Sequence, residues 1–411
     1  MAGNRRDRIE VDTNKRVIVA GAGPVGLIAA LSLARQGIDV VLAGPESGSE
    51  DGRTTALMRP ALALLDRIGV LAALESHAAP LKVMRIVDAT ARLVRSPVVT
   101  FRASEIDEDY FGLNVPNAAL NAALASAVAG QPAIDRRAEF VDDWTIRPDG
   151  VTAAFGQGSP VEAALVVAAD GRLSRAREAA GITVSTRSYP QSALVLNFAH
   201  TRDHAFTSTE FHTETGPFTQ VPLPGNRSSL VWVLKPETAA ELADLDDLTL
   251  SRRVEDRMQS MLGRVTVEGR RQIYPLGATL PRRFAQNRVA LVGEAAHVFP
   301  PIGAQGLNLG IRDIVDLTEI VTKSSKDPGV RSVLDAYDRK RRPDILARTG
   351  AVNLLNMSLL SDMLPAQLAR SAGLGMIGAF APLRALFMRE GLHPGSGLAA
   401  IFSDLREQVR R

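Results

Sequence analysis

Cysteine is absent from this sequence. Its absence excludes disulfides, cysteine-ligated metals and a thiol nucleophile, and it fits a reducing cytoplasm. The chain also lacks a charge imbalance: 48 Lys and Arg stand against 45 Asp and Glu, a net of +3. So small an excess makes no case for nucleic acid, and leaves only a locally basic face to meet an anionic membrane. No apolar run approaches the ~18–20 residues that a spanning helix needs. The opening MAGNRRDRIEVDTNKR is polar and mixed in charge, so neither a signal peptide nor an anchor is expected there. Internal repeats are missing too. His200, His204 and His212 fall in a strand-rich stretch, but their spacing is no established ligand set, so no metal is expected. What remains is globular in character, with 45% hydrophobic and 23% charged residues over 411 positions. That length exceeds one ordinary core and suits two packed domains.

The stretch RVIVAGAGPVGLIAALSLARQGIDVVLAG (Arg16–Gly44) reads as a strand, a glycine turn, an apolar helix and a second strand, a βαβ unit. LVVAADG (Leu165–Gly171) is another buried strand ending in Asp-Gly. Between Ser192 and Pro236 the texture changes to short strand-like pieces separated by Pro, Gly and Asn, which predicts an antiparallel sheet in a second layer. After Val289 the nucleotide-fold texture returns. From about Val333 the pattern is helical, with interruptions expected at Pro343, Pro365 and Pro382.

Gly21, Gly23 and Gly26 form G-x-G-x-x-G directly after the strand Val17–Ala20, with Pro24 and Val25 between them. The first glycine makes the tight turn, the second lets a pyrophosphate approach the backbone, and the third lets helix pack on strand. Phosphates then sit on free amides at the positive helix end. A carboxylate for the ribose is expected at the end of the second strand, and Ala43 stands there instead; Glu46, after Gly44-Pro45, is the candidate replacement. No second G-x-G-x-x-G is present, so a nicotinamide dinucleotide would visit transiently.

Three further pieces follow. DGRTTALMRPALALLDRIGV (Asp51–Val70) sets Arg53 in a polar loop ahead of an amphipathic helix carrying Leu57, Leu62, Leu64, Leu65 and Ile68. VVAADGRLSRAREAAGI (Val166–Ile182) carries Asp170-Gly171, with Arg177 downstream. VALVGEAAHVFPPIGAQGLNLG (Val289–Gly310) carries Gly293-Glu294 after a strand, then paired prolines and a glycine-rich helix start. In order and spacing these resemble the FAD-dependent aromatic hydroxylases related to p-hydroxybenzoate hydroxylase, with a dinucleotide turn, a mid-chain Asp-Gly and a late Gly-Asp. The resemblance covers nearly the whole chain. It departs at Glu294, where the family has Asp.

The resemblance implies an α/β fold: a Rossmann-like FAD-binding domain, a mostly antiparallel substrate-domain sheet and a helical C-terminus. The expected division is 1–185 for the first part of the FAD-binding domain, with substrate-side elements inserted around 75–105. Residues 186–272 are the substrate domain, 273–345 the second part of the FAD-binding domain, and 346–411 the C-terminal helices. It further implies that Arg53 meets the flavin diphosphate, that Asp170 serves FAD and the incoming nicotinamide, and that Glu294, beside Gly293, takes ribityl hydroxyls. Pro301, Gly303, Gly306, Leu307 and Asn308 would shape the flavin-ring site, the last three offering amides to its N1–C2=O edge. NAD(P)H is the implied co-substrate, and a hydroperoxide at flavin C4a the implied oxygen donor. No acid or base is assigned, and His297, in the strand-to-loop turn, is read as structural. Phe211, Phe218 and Trp232 are the expected lining of the substrate cavity.

DGRTTAL and the tail, including LGMIGAFAPLRALFMREGL, resemble the ubiquinone-biosynthesis branch, which implies a prenylated phenol or quinol and O2 as substrates. The apolar tail from Leu354 to Met388, with Arg370, Arg384 and Arg389 among it, suits either packing or a peripheral contact with the inner face of the cytoplasmic membrane. A homo-oligomer or a quinone-biosynthesis complex is open. So are three rival readings: a hydroxylase of a small soluble aromatic, an isoprenoid-chain reductase, and a non-catalytic flavin-binding subunit of such a complex.

Overall fold

The computed structural model describes residues 16–46, 51–92, 95–156, 158–300, 305–324, 327–360 and 364–392. Short aliphatic runs build its first layer. Strands lie in the order Ala285–Gln286, Val289–Leu291, Leu165–Ala168, Val17–Ala20, Val40–Ala43 and Ile134–Arg137. All neighbours pair parallel except the outermost hairpin. The central strands VIVA, VVLA, LVVA and VAL are buried at every residue. Helices cover both faces of such a sheet, so its strands are apolar throughout rather than alternating. Helix Pro24–Ala34 is buried from Gly26 onward, and helix Gln305–Lys323 packs beside it.

The second layer is a seven-stranded sheet, ordered Val265–Pro281, Val184–His200, Arg227–Leu234, Gly216–Leu223, Thr207–Thr213, Val83–Asp88 and Val99–Arg102. It is antiparallel except where Thr207–Thr213 meets Val83–Asp88. Side chains alternate across a sheet, and here the two faces differ in kind. One face carries Leu194, Leu196, Phe198, Phe211, Phe218, Leu230 and Trp232, packed with Ala239, Leu242, Leu250 and Val254 of helices Pro236–Ala243 and Asp247–Arg257. Phe218 meets Phe211 and Trp232 edge-on, at 5.7 and 5.1 Å between ring centres.

The expectation that Phe211, Phe218 and Trp232 line the substrate cavity is therefore corrected. They fall on the helix-covered face and form the core of this layer. The boundary expected at 272/273 is also corrected, because it falls inside the continuous strand Val265–Pro281. Its Gly269, Pro275 and Gly277 suggest breaks, but two bulges in the pairing with Val184–His200 absorb them. Leu57 was expected on a helix and lies on the strand Thr54–Met58; the helix begins at Arg59.

A small sheet of Thr54–Met58, Gly112–Pro116 and Ala79–Pro80 joins the two layers. Thr54 Oγ1 donates to Ser229 Oγ at 2.8 Å, Asn114 Nδ2 to the Pro222 carbonyl at 2.8 Å, and Asn197 Nδ2 to the Gly52 carbonyl at 2.9 Å. These bonds seat the open face of the seven-stranded sheet against the nucleotide-fold layer.

The last described elements are helices Arg331–Leu360, Leu364–Ala379 and Ala381–Leu392. The interruption expected at Pro343 does not occur, since this exposed proline lies inside the first of them. Pro365 and Pro382 each sit second in a helix, where a missing amide hydrogen breaks no intrahelical bond. Met388 and Ala385 of the last helix pack on Met58, Met84, Phe101, Ala103, Ile106 and Phe111.

Candidate active site

The turn after Val17–Ala20 is built for an anion. Gly21 has φ +106°, a value side-chain-bearing residues avoid. A Cβ on Gly26 would lie 1.8 Å from the Gly21 carbonyl oxygen, so the helix can approach only because that atom is missing. A Cβ on Gly23 would meet nothing within 4 Å. No side chain caps the helix, no acidic residue enters its first turn, and Pro24 opens it. The amides after Pro24 thus face open space at the positive end of the dipole. Val25 packs instead against Gly293 and Gly310, tying this helix start to the Gly-Glu loop.

At the end of the next strand Glu46 is exposed. Arg136, on the adjoining strand, donates to the Leu42 carbonyl at 3.2 Å and lies within electrostatic reach of Glu46. Burial pulls the Arg136 guanidinium below its ordinary value, and Glu46 partly offsets this. Arg53 turns its fork onto Asp51, with two bonds of 2.7 Å, and its guanidinium lies 5.3 Å above the ring of Tyr274. The carboxylate of Asp51 raises its pKa.

Asp170 is not the N-cap of the following helix; Ser174 is, its Oγ accepting from the Arg177 amide at 3.0 Å. Asp170 Oδ2 accepts from the Ala176 amide at 3.2 Å, while its buried Oδ1 has no partner among the described residues. Burial pushes this carboxyl up. Arg177 is buried and donates to the carbonyls of Ala295 and Arg172, both at 2.9 Å, so it braces the Asp-Gly loop against the Gly-Glu loop.

Gly293 and Glu294 follow the strand Val289–Leu291. The Glu294 carboxylate is 55% exposed and pairs with Arg172 at 3.1 Å. Beneath it lies a buried charge network that the sequence did not announce. Asp313 accepts from the Gly293 amide at 2.9 Å, pairs with His297 at 2.7 Å and with Arg341 at 2.8 Å. Arg341 continues to Asp316 and Asp344, each at 2.9 Å. Asp313 is wholly buried, which pushes its carboxyl up, but His297 and Arg341 outweigh this and hold it below the ordinary carboxylate range. His297, read as structural, sits buried in this network.

Gly306, Leu307 and Asn308 occupy the first turn of helix Gln305–Lys323. A Cβ on Gly306 would meet nothing within 4 Å. Asn308 Nδ2 donates to the Ala56 carbonyl at 2.7 Å, and its Oδ1 accepts from the Met58 amide at 2.9 Å, fixing this helix start beside the joining sheet. Pro301 and Gly303 lie outside the described residues.

The open face of the seven-stranded sheet supplies the wall that the aromatic residues do not. Gln272, Val195, Val231, Thr219, Glu210 and Ile86 are cross-strand partners in one row over six strands. Each is partly accessible, while Leu194, Trp232, Phe218 and Phe211 behind them are buried. The signal was present in the sequence, since each sits next to a residue of the aromatic set or its neighbours. Strand parity could have found them once one face was assigned to core.

Compared with known proteins, residues 14–349 match the family described as FAD binding domain. The chain belongs to this family. A ubiquinone hydroxylase of Rhodospirillum rubrum is 35% identical over 92% of the chain and 89% of its own length. The 3-demethoxyubiquinol 3-hydroxylase of Escherichia coli is 28% identical over 87% of the chain and 93% of its own length. Among solved structures, p-nitrophenol 4-monooxygenase of Pseudomonas putida superposes with a TM-score of 0.74 at 25% identity, over 93% of this chain and 97% of that one. The protein is thus a flavin-dependent aromatic monooxygenase that uses FAD and, as its family does, NAD(P)H.

The residues present fit FAD. The uncapped helix mouth at Gly23, the unpartnered Asp170 Oδ1 and the bare helix start at Gly306 are each shaped for a ligand rather than for protein. Glu294→Gln is expected to weaken FAD by roughly 1–2 kcal/mol, the scale of a charged hydrogen bond, and Glu294→Ala by more. Fluorescence titration of flavin into apoprotein checks this. An unchanged affinity in Glu294→Ala would mean that the carboxylate serves only Arg172, and exposed pairs of that kind contribute little.

Proposed function

We propose that this monooxygenase hydroxylates the ring of a polyprenylated phenol or quinol on the route to ubiquinone. The observation that carries the reading is full-length similarity to a ubiquinone hydroxylase, with 35% identity. The accessible face of the seven-stranded sheet supports it. The middle of its row is apolar, at Val195 and Val231, as an aromatic ring requires. Further along the sheet, the strand Val83–Asp88 carries Met84 into the cluster of Met58, Phe101, Phe111 and Met388. Methionine-rich apolar surface suits a long flexible chain.

In this reading Gly21–Gly26 and Arg53 hold the FAD diphosphate, and Glu46 with Arg136 lies at the adenosine end. Asp170 and Glu294 take hydroxyls of the ligand. Held there, FAD would supply the hydride-accepting and O2-activating chemistry that oxidation of an electron-rich ring requires. The amides of Gly306, Leu307 and Asn308 stabilise negative charge at the ring edge, because a helix N-terminus favours an anion. The apolar wall excludes water from the ring.

The tail helps deliver the substrate. Among the described residues no single helix is long and apolar enough to cross a membrane; Ser371–Ala379 and Ala381–Glu390 form a pair bent by 103°. Phe380 and Phe387 are 61% and 52% exposed on it. Arg384 was counted among headgroup-binding arginines. It pairs instead with Glu105 at 2.6 Å and with helix carbonyls. Of the tail residues read from the sequence, the side chains from Leu354 to Arg370 lie outside the described residues.

A prenyl chain favours lipid by about 0.8 kcal/mol per buried methylene, so the enzyme must meet it at a surface. The test is the FAD-loaded protein with anionic liposomes carrying a prenylphenol, NAD(P)H and air. Hydroxylated prenylphenol should form and the protein should float with the vesicles, and Phe380→Ser/Phe387→Ser should float less. Turnover of small soluble phenols but never of the prenylphenol would reject the substrate class. A wild type that stays at the bottom of the gradient would reject the membrane contact.

A further inference from the structure

We propose that Glu210, held by His212, binds the ring hydroxyl of the substrate and takes its proton as the ring is attacked. The assignment rests on the phenol-hydroxylase reading above.

Glu210 stands in the accessible row, between Thr219 and Ile86. His212 Nε2 meets its Oε1 at 2.8 Å, and Thr219 Oγ1 approaches its Oε2 at 3.4 Å, the outer limit of a hydrogen bond. The histidine side chain is 2% exposed and the glutamate 17%. His212 Nδ1 has no partner among the described residues. Glu210 and His212 lie two residues apart on one strand, so their short bond joins no two elements of the fold. Burying two polar side chains is costly unless they are used, and among the described residues this bond ties no two elements together.

Neighbouring carboxylates differ in this respect. Asp88, opposite His212 on the next strand, accepts from the amides of Thr90 and Ser96, and Glu214 accepts from the amide of Ala91. Both are engaged in turns. Glu210 Oε2, with only the long approach of Thr219, is the acceptor that the wall presents beside Val231 and Ile86. A carboxylate set beside apolar residues orients a ring by its hydroxyl.

The chemistry explains why a carboxylate suffices. A phenol is a far weaker acid than a carboxylic acid, so no proton moves in the resting complex. When an electrophilic oxygen bonds to a ring carbon, the ring gains positive charge that the hydroxyl oxygen shares, and that hydroxyl becomes a strong acid. Its O–H bond then breaks, an Oε2–H bond forms, and the freed pair moves into the carbon–oxygen bond to neutralise the ring. The hydrogen on the oxidised carbon leaves as a proton, which restores aromaticity; the second oxygen atom of O2, reduced by the two electrons of NAD(P)H, takes up that proton and one more and departs as water; and Oε2 returns its proton to the ring oxygen. The pair ends each turnover unchanged; O2 is the oxidant and NAD(P)H the reductant. His212 keeps the carboxylate oriented throughout.

The test compares the FAD-loaded wild type with Glu210→Gln, using 2-prenylphenol as the probe. FAD content, binding by the flavin absorbance change, NAD(P)H consumed, hydroxylated product and hydrogen peroxide are all measured. Glu210→Gln should keep its FAD and bind the probe within about threefold, since an amide oxygen still accepts a hydrogen bond. Product per NAD(P)H should fall at least about tenfold, the lower scale of general-base effects being larger still, with peroxide making up the difference. His212→Gln, which keeps the carboxylate, should fall between. Wild-type coupling in Glu210→Gln overturns the assignment. So does loss of FAD, binding and product together, which marks a structural role. A wild type that binds no prenylphenol overturns the substrate reading, and this assignment with it.

Discussion

Gly23→Val is expected to fold and purify without flavin, whereas Gly26→Val is expected not to fold. The two glycines belong to one turn but to different constraints. Any Cβ at position 26 lies 1.8 Å from the Gly21 carbonyl oxygen. Helix Pro24–Ala34 would have to leave the central strand, and that strand and most of the helix are buried. Overpacking in a close-packed core costs typically ~1–3 kcal/mol, and a backbone clash at such a distance costs more. At position 23 the space beyond the Cβ is empty to 4 Å. A valine there disturbs no protein atom and fills the approach to the helix mouth. Circular dichroism and flavin absorbance separate the two outcomes. A fully yellow Gly23→Val protein would remove the diphosphate from this turn.

The second large effect is expected at Asp313. Replacing it by Asn should destabilise the apoprotein by about 3–5 kcal/mol, the cost of breaking a buried ion pair while its partner stays. Arg341, 2% exposed, would retain Asp316 and Asp344, so the lower part of that range is expected. Urea unfolding of the FAD-free protein measures this, and a loss below about 1 kcal/mol would mean that the network relaxes freely. The pH dependence has a definite sign. The folded carboxyl titrates below its ordinary value, so its contribution is complete above the unfolded value of about 3.9 and disappears as pH falls through the folded one. Wild type should therefore lose stability on acidification below about pH 4 more steeply than Asp313→Asn. Because Gly293 donates to Asp313, the substitution should also loosen the loop that presents Glu294.

These two sites differ in how far they could be read from sequence. The glycine turn is a local pattern, and a strand before it and a helix after it suffice to place it. The parallel strands were legible for a related reason, since burial on both faces leaves an unbroken apolar run. The network around Asp313 was not legible, because His297, Asp313 and Arg341 meet only after helices Gln305–Lys323 and Arg331–Leu360 pack on each other and on the turn Gly293–Ala295. The seven-stranded sheet was legible as a sheet but not as two faces. Phe211, Phe218 and Trp232 look like cavity lining because they are large and aromatic. Helices Pro236–Ala243 and Asp247–Arg257 claim that face, and the smaller Val195, Thr219 and Val231 are left on the other. Glu210 and His212 were passed over because neither matches a motif; their meaning comes from the face on which they lie.

Neither layer of this molecule is an uninterrupted piece of chain. The parallel sheet takes strands from residues 17–43, 134–168 and 285–291, and the seven-stranded sheet from 83–102, 184–234 and 265–281. The chain threads back and forth between them, so most pairings join residues far apart in sequence. Contacts of that kind slow folding, because loop closure must precede the reward. On the ribosome the edge of Leu165–Ala168 stays open until synthesis has passed residue 291, since Val289–Leu291 is the strand that closes it. Both layers therefore receive their last strands only between residues 265 and 291, and neither can be exchanged as one contiguous cassette.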